Sequence, residues 1–294
     1  MSIFQLDFEG KTKLERTIDR LKVWEPPEGY YMAFSGGKDS TALKGVADMA
    51  GVKYEAYYNV SSVDAPEVLN YIKEHHPDVI WQKTYWPDGK PITMWNLIPH
   101  KKRPPTRQVR YCCEYLKEGQ GSNRFVITGV RWAESPSRAN RGGIETSDKP
   151  WSKQWGQAWR ENLDPDNPSQ EMIHICHQKA QKILNPLIDW TDDEVWEFIK
   201  AYNLPYCSLY DEGFKRVGCI GCPMAGEEKQ KIEFKRWSKY YNNYLKAFER
   251  MIKAREERGL EARWKTPQQV MDWWLFQEDK GEPTLLDEME VENE

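Results

Sequence analysis

The chain has 294 residues, with 42 Lys and Arg against 46 Asp and Glu for a formal net charge of -4. That balance excludes a uniformly basic, nucleic-acid-coating surface while leaving room for a local basic groove. The length allows one or two domains and a core that folds without disulfide staples. No run approaches the roughly 20 apolar residues of a membrane helix, and MSIFQLDFEG lacks the basic and apolar regions of a secretory signal. A soluble, cytoplasmic protein with no membrane partner is therefore expected. The composition is unusual in its 14 Trp and in six Cys that a reducing cytosol does not readily pair.

In chain order, KTKLERTIDRLKVW places Leu14, Ile18 and Leu21 on one helical face before Pro26 and Pro27 stop it. This segment reads as a packing arm. The short apolar run YYMAF then leads through SGGKDS into a helix closed by Gly51. A strand in KYEAYYNV, a helix from about Ala65 to His75 and a strand in DVIWQ follow, then FVITGV and a last strand in ILNPLIDW. Strands alternating with helices at this spacing predict βαβ units in a doubly wound parallel sheet, a Rossmann-like α/β fold. Thr191 and Glu194 have capping-box spacing at the start of TDDEVWEFIKAYN. GGIETSDKPWSKQWGQAWRENLDPDN reads as an insertion or long active-site loop, and the chain after Cys222 as charge-laced helices ending in an acidic tail, DEMEVENE. The expected organisation is a helical arm at 1–28, a nucleotide-binding domain at 29–226 that includes four clustered cysteines, and a helical C-terminal extension at 227–294.

Ser35, Gly36, Gly37, Lys38, Asp39 and Ser40 lie between a strand and a helix. The two glycines allow a tight turn that brings backbone N–H groups against a ligand, and the helix N-terminus behind them carries partial positive charge. Ser35 and Ser40 offer hydroxyl donors, Lys38 a cation, and Asp39 a ligand for Mg2+ bridging phosphates. The pattern is built for an anion and lacks the spacing of a Walker A loop.

This loop resembles the signature of the adenine-nucleotide alpha-hydrolase superfamily, the N-type ATP pyrophosphatases, which bind ATP and cleave between its alpha and beta phosphates. Gly129-Val130-Arg131 with Ser135-Pro136-Ser137-Arg138 is similar to the substrate loop of phosphoadenosine phosphosulfate (PAPS) and adenylyl-sulfate reductases. Asn185-Pro186-Leu187-Ile188-Asp189-Trp190, Asp193-Glu194-Val195-Trp196 and Leu204-Pro205-Tyr206 resemble the same family's late strand and helix. The resemblance spans about 30–225. It implies a nucleotide site with Ser35, Gly36, Gly37, Lys38, Asp39, Ser40, Gly129, Arg131 and Arg138, of which Lys38, Asp39 and Arg131 are the expected catalytic groups. Arginine at 131 or 138 could fork onto phosphate oxygens.

Cys112-Cys113 and Cys219-Ile220-Gly221-Cys222 form a CC plus CxxC set. Zinc needs four sulfurs about 3.8 Å apart, awkward for neighbours in sequence, whereas a 4Fe-4S cluster lets each thiolate take its own iron. Zinc and a thiol pair remain the alternatives. Assimilatory adenylyl-sulfate reductases carry a similar set, and the resemblance makes Lys117 a cluster-facing lysine, with Leu116 standing where those proteins have arginine. Cys176 and Cys207 sit in apolar contexts and read as packing, with His174-Cys176-His177 as a weaker metal candidate. The basic run from His100 to Arg110 reads as a solvated loop or an anion contact, and Trp151, Trp155 and Trp159 as packing or a nucleic-acid stacking platform.

Three functions follow. The favoured one is ATP cleavage to AMP and pyrophosphate with adenylylation of an acceptor, coupled to sulfur transfer, for which a sulfur-donor protein and a nucleic-acid acceptor are the expected partners. The intact SGGKDS and a chain with no Cys beyond Cys222 point this way. The alternatives are thiol-dependent reduction of adenylyl sulfate or PAPS to sulfite, and a nucleotide- or nucleic-acid-binding accessory role without turnover.

Overall fold

The computed structural model describes residues 2–117, 121, 123–136, 138–147, 160–163, 181–260 and 263–276. Ser137, Trp151, Trp155, Trp159, His174, Cys176, His177 and the acidic tail lie outside the described residues. The chain divides into two compact units: Met1–Asn59 with Pro66–Gln82 and Gly119–Val217, and Val60–Ala65 with Lys83–Glu118 and Gly218–Glu294.

The first unit is an α/β sheet. Its strands are β1 (Tyr30–Ala33), β2 (Tyr54–Asn59), β3 (Ile80–Gln82), β4 (Phe125–Ile127), β5 (Ile144–Ser147), β6 (Arg160–Leu163) and β7 (Gln181–Leu184), in the order β3-β2-β1-β4-β7-β5-β6. The pairs among β3, β2, β1, β4 and β7 are parallel, with Tyr30 opposite Tyr54 and Met32 opposite Ile127. Helices α1 (Lys13–Val23), α2 (Lys38–Ala50) and α3 (Pro66–His75) belong to the same unit. Two crossovers carry the chain from β1 to β2 to β3 in one direction, and the next strand, β4, lies on the other side of β1. The reversal makes a switch point at the carboxyl ends of β1 and β4, where open α/β sheets place their ligands.

Local chemistry explains the elements. Thr12 and Glu15 cap α1 reciprocally, and Leu14, Thr17, Arg20 and Leu21 form its buried face. Gly51, left-handed at φ 68°, donates its N–H to Ala47 and Asp48 and ends α2. The fourth expected strand stops at Ile127, and the last runs only to Leu184, because Asn185 and Pro186 enter a turn. The segment expected to be an insertion or loop instead contributes two strands: β5 pairs antiparallel with both β7 and β6. A parallel core with an antiparallel edge is a common compromise in doubly wound sheets.

Within the sheet unit, the Tyr71 hydroxyl bonds the Pro205 carbonyl at 2.9 Å, Thr41 Oγ1 at 2.9 Å and His76 Nε2 at 2.8 Å. His76 is 7% exposed, and burial, helped by the Lys44 charge, pushes its pKa down to about 4. The unfolded chain takes up this proton first, at its ordinary value near 6.5, so the stability is complete above that pH and falls away as pH drops through 4. The expected contribution is on the order of 3 kcal/mol. Urea titrations at pH 7.5 and 4.5 should show a smaller acid loss in His76→Gln than in the parent; equal losses would refute the assignment.

The second unit is helical: α4 (Met94–Lys101), α5 (Tyr111–Leu116), α7 (Glu227–Arg236), α8 (Ser238–Glu257) and α9 (Pro267–Phe276), where α6 (Asp192–Ala201) is the capped helix of the sheet unit. Helix α8 packs on α4, α7 and α9. Its core joins Tyr244, Phe248 and Trp274, the last donating its indole N–H to the Pro105 carbonyl at 2.6 Å. All four clustered cysteines fall in this unit, whereas the boundary expected at residue 226 groups them with the glycine loop. The cause is a tie that sequence distance hides: Asp64 and Cys219 form an antiparallel bridge, and Ile220 N–H donates to the Val63 carbonyl at 2.7 Å.

Candidate functional site

The glycine loop lies at the switch point, directly after β1. Gly36 takes φ +71°, and a Cβ there would stand 2.9 Å from Ile72 and Val68, so only glycine fits. Gly37 is different. Its φ of -86° is ordinary, and a Cβ would meet nothing nearer than 3.5 Å, so it serves as an N-cap without a side chain. The Ser40 hydroxyl donates to the Gly37 carbonyl at 2.9 Å and accepts from Ser35 N–H at 3.2 Å. In this arrangement its proton is directed inside the loop. Gly129 backs onto α2, where a Cβ would come within 3.0 Å of the Asp39 carbonyl.

Lys38 is 5% exposed, with its ammonium 3.3 Å from Asp39 and 3.2 Å from Asp192. Arg131 is fully buried and its guanidinium is divided three ways: Nε to Asp39 Oδ1 at 2.8 Å, Nη2 to Asp192 Oδ1 at 2.5 Å and Nη1 to the Trp190 carbonyl at 3.1 Å. Three of the five guanidinium N–H donors are taken in this way. Arg131 thus ties Asp39 and Asp192 together beside Lys38. Although burial opposes it, the Arg131 hydrogen bond and the Lys38 charge hold the Asp192 carboxyl below its usual range. Arg138 pairs with Glu134, four residues earlier. Sequence reasoning missed Asp192, whose position as first residue of a capped helix was legible but whose partner was not. It also missed Tyr210, whose hydroxyl accepts a hydrogen bond from the Lys38 N–H at 2.9 Å.

In the helical unit, α5 carries Cys112 and Cys113 on consecutive positions, and a turn closed by Cys222 N–H to the Cys219 carbonyl at 3.3 Å carries the other pair. All four thiols are half-buried. The turn is held at every peptide. Gly221 N–H donates to Glu233 at 2.8 Å, Gln230 donates to the Gly221 carbonyl at 3.0 Å and the Tyr244 hydroxyl to the Ile220 carbonyl at 3.0 Å. Arg110 donates to Cys113 Sγ at 3.3 Å. The hydrogen bond from Cys112, with help from Arg110, lowers the Cys113 thiol, while that same bond and burial push Cys112 up. Burial raises Cys219 to about 11. The Lys117 ammonium hydrogen-bonds Cys219 and faces Asp64, and these two neighbours raise its pKa although burial opposes them. Each of the other three thiols contributes to the field at Cys112, yet among the described residues no three His, Cys, Asp or Glu side chains converge on a point that suits a single metal ion. The basic run is partly built in: Arg107 donates to the Pro223 carbonyl at 3.1 Å. No helix among the described residues is long and apolar enough to cross a membrane.

The sequence model of the phosphoadenosine phosphosulfate reductase domain matches residues 29–225. The adenosine 5'-phosphosulfate reductase of Staphylococcus haemolyticus is 29% identical over 181 residues, 59% of this chain and 60% of its own. That of Allochromatium vinosum is 25% identical over 178 residues, 58% of this chain and 57% of its own. The matches thus span less than two thirds of those relatives. A solved structure of phosphoadenylyl-sulfate reductase from Candida auris, in a phosphate complex, superposes with a TM-score of 0.42 and 15% identity, covering 74% of this chain and 98% of that one.

Proposed function

Because the chain belongs to the phosphoadenosine phosphosulfate reductase domain family, we propose that it binds an adenylyl anhydride at the Ser35–Ser40 loop and reduces adenylyl sulfate or PAPS to sulfite. The observation that carries this is the loop itself, set at the switch point with a buried Lys38 behind it. The reaction needs a dithiol. One thiolate attacks the sulfuryl sulfur, the bond to the phosphate oxygen breaks, and AMP or its 3'-phosphate leaves. The second thiol then attacks the sulfur of the first, leaving a disulfide and releasing sulfite with the electron pair. The helix N-terminus and Lys38 favour the charge that gathers on the departing phosphate.

A second reading rests on Asp39, which sits at the start of α2 with Lys38 and Arg131 on its oxygens and part of its surface open. That disposition suits a Mg2+ held by one carboxylate and by the phosphates of ATP. In this case an acceptor attacks the alpha phosphorus and pyrophosphate leaves; the acceptor and any protein sulfur donor would come from outside this chain.

We further propose that Cys112, Cys113, Cys219 and Cys222 hold a 4Fe-4S cluster. The CC plus CxxC pattern, with all four half-buried thiols in one unit and Arg110 and Lys117 beside them, supports this, since each thiolate of such a set can bind its own iron. A bound cluster would supply a polarisable, electron-rich centre, and Lys117 would offset its charge.

Anaerobically purified protein should release sulfite and AMP from adenylyl sulfate in the presence of a dithiol. Pyrophosphate and AMP from ATP with Mg2+, without sulfite from adenylyl sulfate, would replace this reading with the second. Iron and acid-labile sulfide in equal amounts support the cluster; stoichiometric zinc without sulfide would refute it.

A further inference from the structure

Tyr210 closes a 3-10 turn, Ser208–Tyr210, and its ring meets Trp196 edge-on at 5.1 Å and Tyr206 at 6.5 Å. Its hydroxyl stands over the glycine loop: a Cβ on Gly37 would lie 3.5 Å from it. The Lys38 N–H donates to it at 2.9 Å, and a second backbone hydrogen bond comes from Val217. A phenol oxygen has two lone pairs and one proton. Here both lone pairs face backbone donors, so the proton is the only part of the hydroxyl left to act, and among the described residues no hydrogen bond uses it. Two donors on the oxygen also polarise the O–H bond and strengthen it as a donor. The charged groups around it are Asp39, at the first turn of α2, and Lys38 and Arg131, which engage that carboxylate.

We propose that Tyr210 is a ligand-binding residue of the glycine loop, donating its O–H to a non-bridging phosphoryl or sulfuryl oxygen of the bound nucleotide. The Lys38 N–H, which would otherwise meet the ligand as one of the free donors of a helix start, acts through the phenol instead. The anion site therefore combines backbone N–H groups with one side-chain hydroxyl supplied from beyond the sheet's last strand. The assignment fits any adenylyl anhydride and rests on the reading that the loop binds one.

The test is equilibrium binding of adenylyl sulfate, and of AMP as a chemically inert probe, to the full chain and to two variants. Tyr210→Phe keeps the ring against Trp196 and removes the hydroxyl; affinity for both probes should fall roughly ten- to hundred-fold. Tyr210→3-fluorotyrosine makes the phenol a stronger donor and a weaker acceptor, so affinity should hold or rise. A hydroxyl that merely caps Lys38 and Val217 gives the opposite sign, with weaker binding as acceptor strength falls, and this result overturns the proposal. Unchanged or tighter binding by Tyr210→Phe overturns it as well, since the hydroxyl would then be obstructing the Lys38 N–H. If the unsubstituted chain binds neither probe, the nucleotide-loop reading fails together with this one, whereas normal binding that ignores Tyr210 sinks this one alone.

Discussion

Arg131→Met is expected to lower stability by about 3 to 5 kcal/mol, the usual consequence of removing one partner from a buried ionic network, and to lower Tm by roughly 10 °C. Methionine fills much of the same space, so the loss measures charge and hydrogen bonding more than volume. Three acceptors are abandoned at once: Asp39, Asp192 and the Trp190 carbonyl, the last within the buried unit. Lys38 alone then faces two carboxylates. Asp39 and Asp192 are not equivalent, because the Asp192 side chain is 60% exposed and can turn to water while Asp39, at 23%, is more confined. Adding Asp192→Asn to Arg131→Met removes the surplus negative charge and should recover about half of the loss. Arg131→Lys should fall between, since an ammonium cannot reach three acceptors set around a planar fork. Calorimetry on the four proteins checks this, and a Tm change below about 3 °C for Arg131→Met would mean that the network contributes little. Because the network sets Asp39 beside the loop, the same variant should weaken adenylyl sulfate binding even at temperatures where it is folded.

The parts of this molecule that were legible in the sequence are those decided by neighbours in sequence. The capping box at Thr191 with Glu194, the stop at Gly51 and the turn after β1 each depend on residues within a few positions, and each formed where the pattern placed it. What sequence could not show is pairing across the fold. Arg131 has the composition of a phosphate-binding arginine, and only the arrival of Asp39 and Asp192 from two other elements spends its donors. Ser40 likewise has a free hydroxyl on paper and a partner in its own loop in space. The β5 and β6 strands escaped because their segment lacks an alternating apolar pattern; backbone pairing of β5 with β7, and of β6 with β5, decides them. The grouping of all four cysteines with the terminal helices had no local signal either, because it depends on the bridge between Asp64 and Cys219.

That grouping leads to the second large effect, at the CxxC turn. Gly221 has φ +73°, and a Cβ there would lie 2.5 Å from Phe234 Cζ and 3.2 Å from the Tyr244 ring. Both rings are buried in the core of the helical unit and pack on each other at 5.6 Å, so neither can yield without opening that core. Gly221→Ala should therefore shift the peptides that aim Cys219 and Cys222. For the proposed cluster, the expected result is a fall in bound iron to less than half, together with a loss of about 3 kcal/mol from the left-handed backbone and the overpacking combined. Glu233 separates this from general damage. Glu233→Leu leaves the Gly221 N–H buried without an acceptor, worth about 1 to 3 kcal/mol. Glu233→Gln keeps an acceptor oxygen for it and the shape of the side chain. Iron content and denaturant midpoint should both rank Glu233→Gln nearest the parent, then Glu233→Leu, then Gly221→Ala. Equal iron in all three would show that the turn is not shaped by this helix. A ranking in stability without one in iron would separate the fold of the unit from the aim of its thiols, and would place the metal ligands elsewhere.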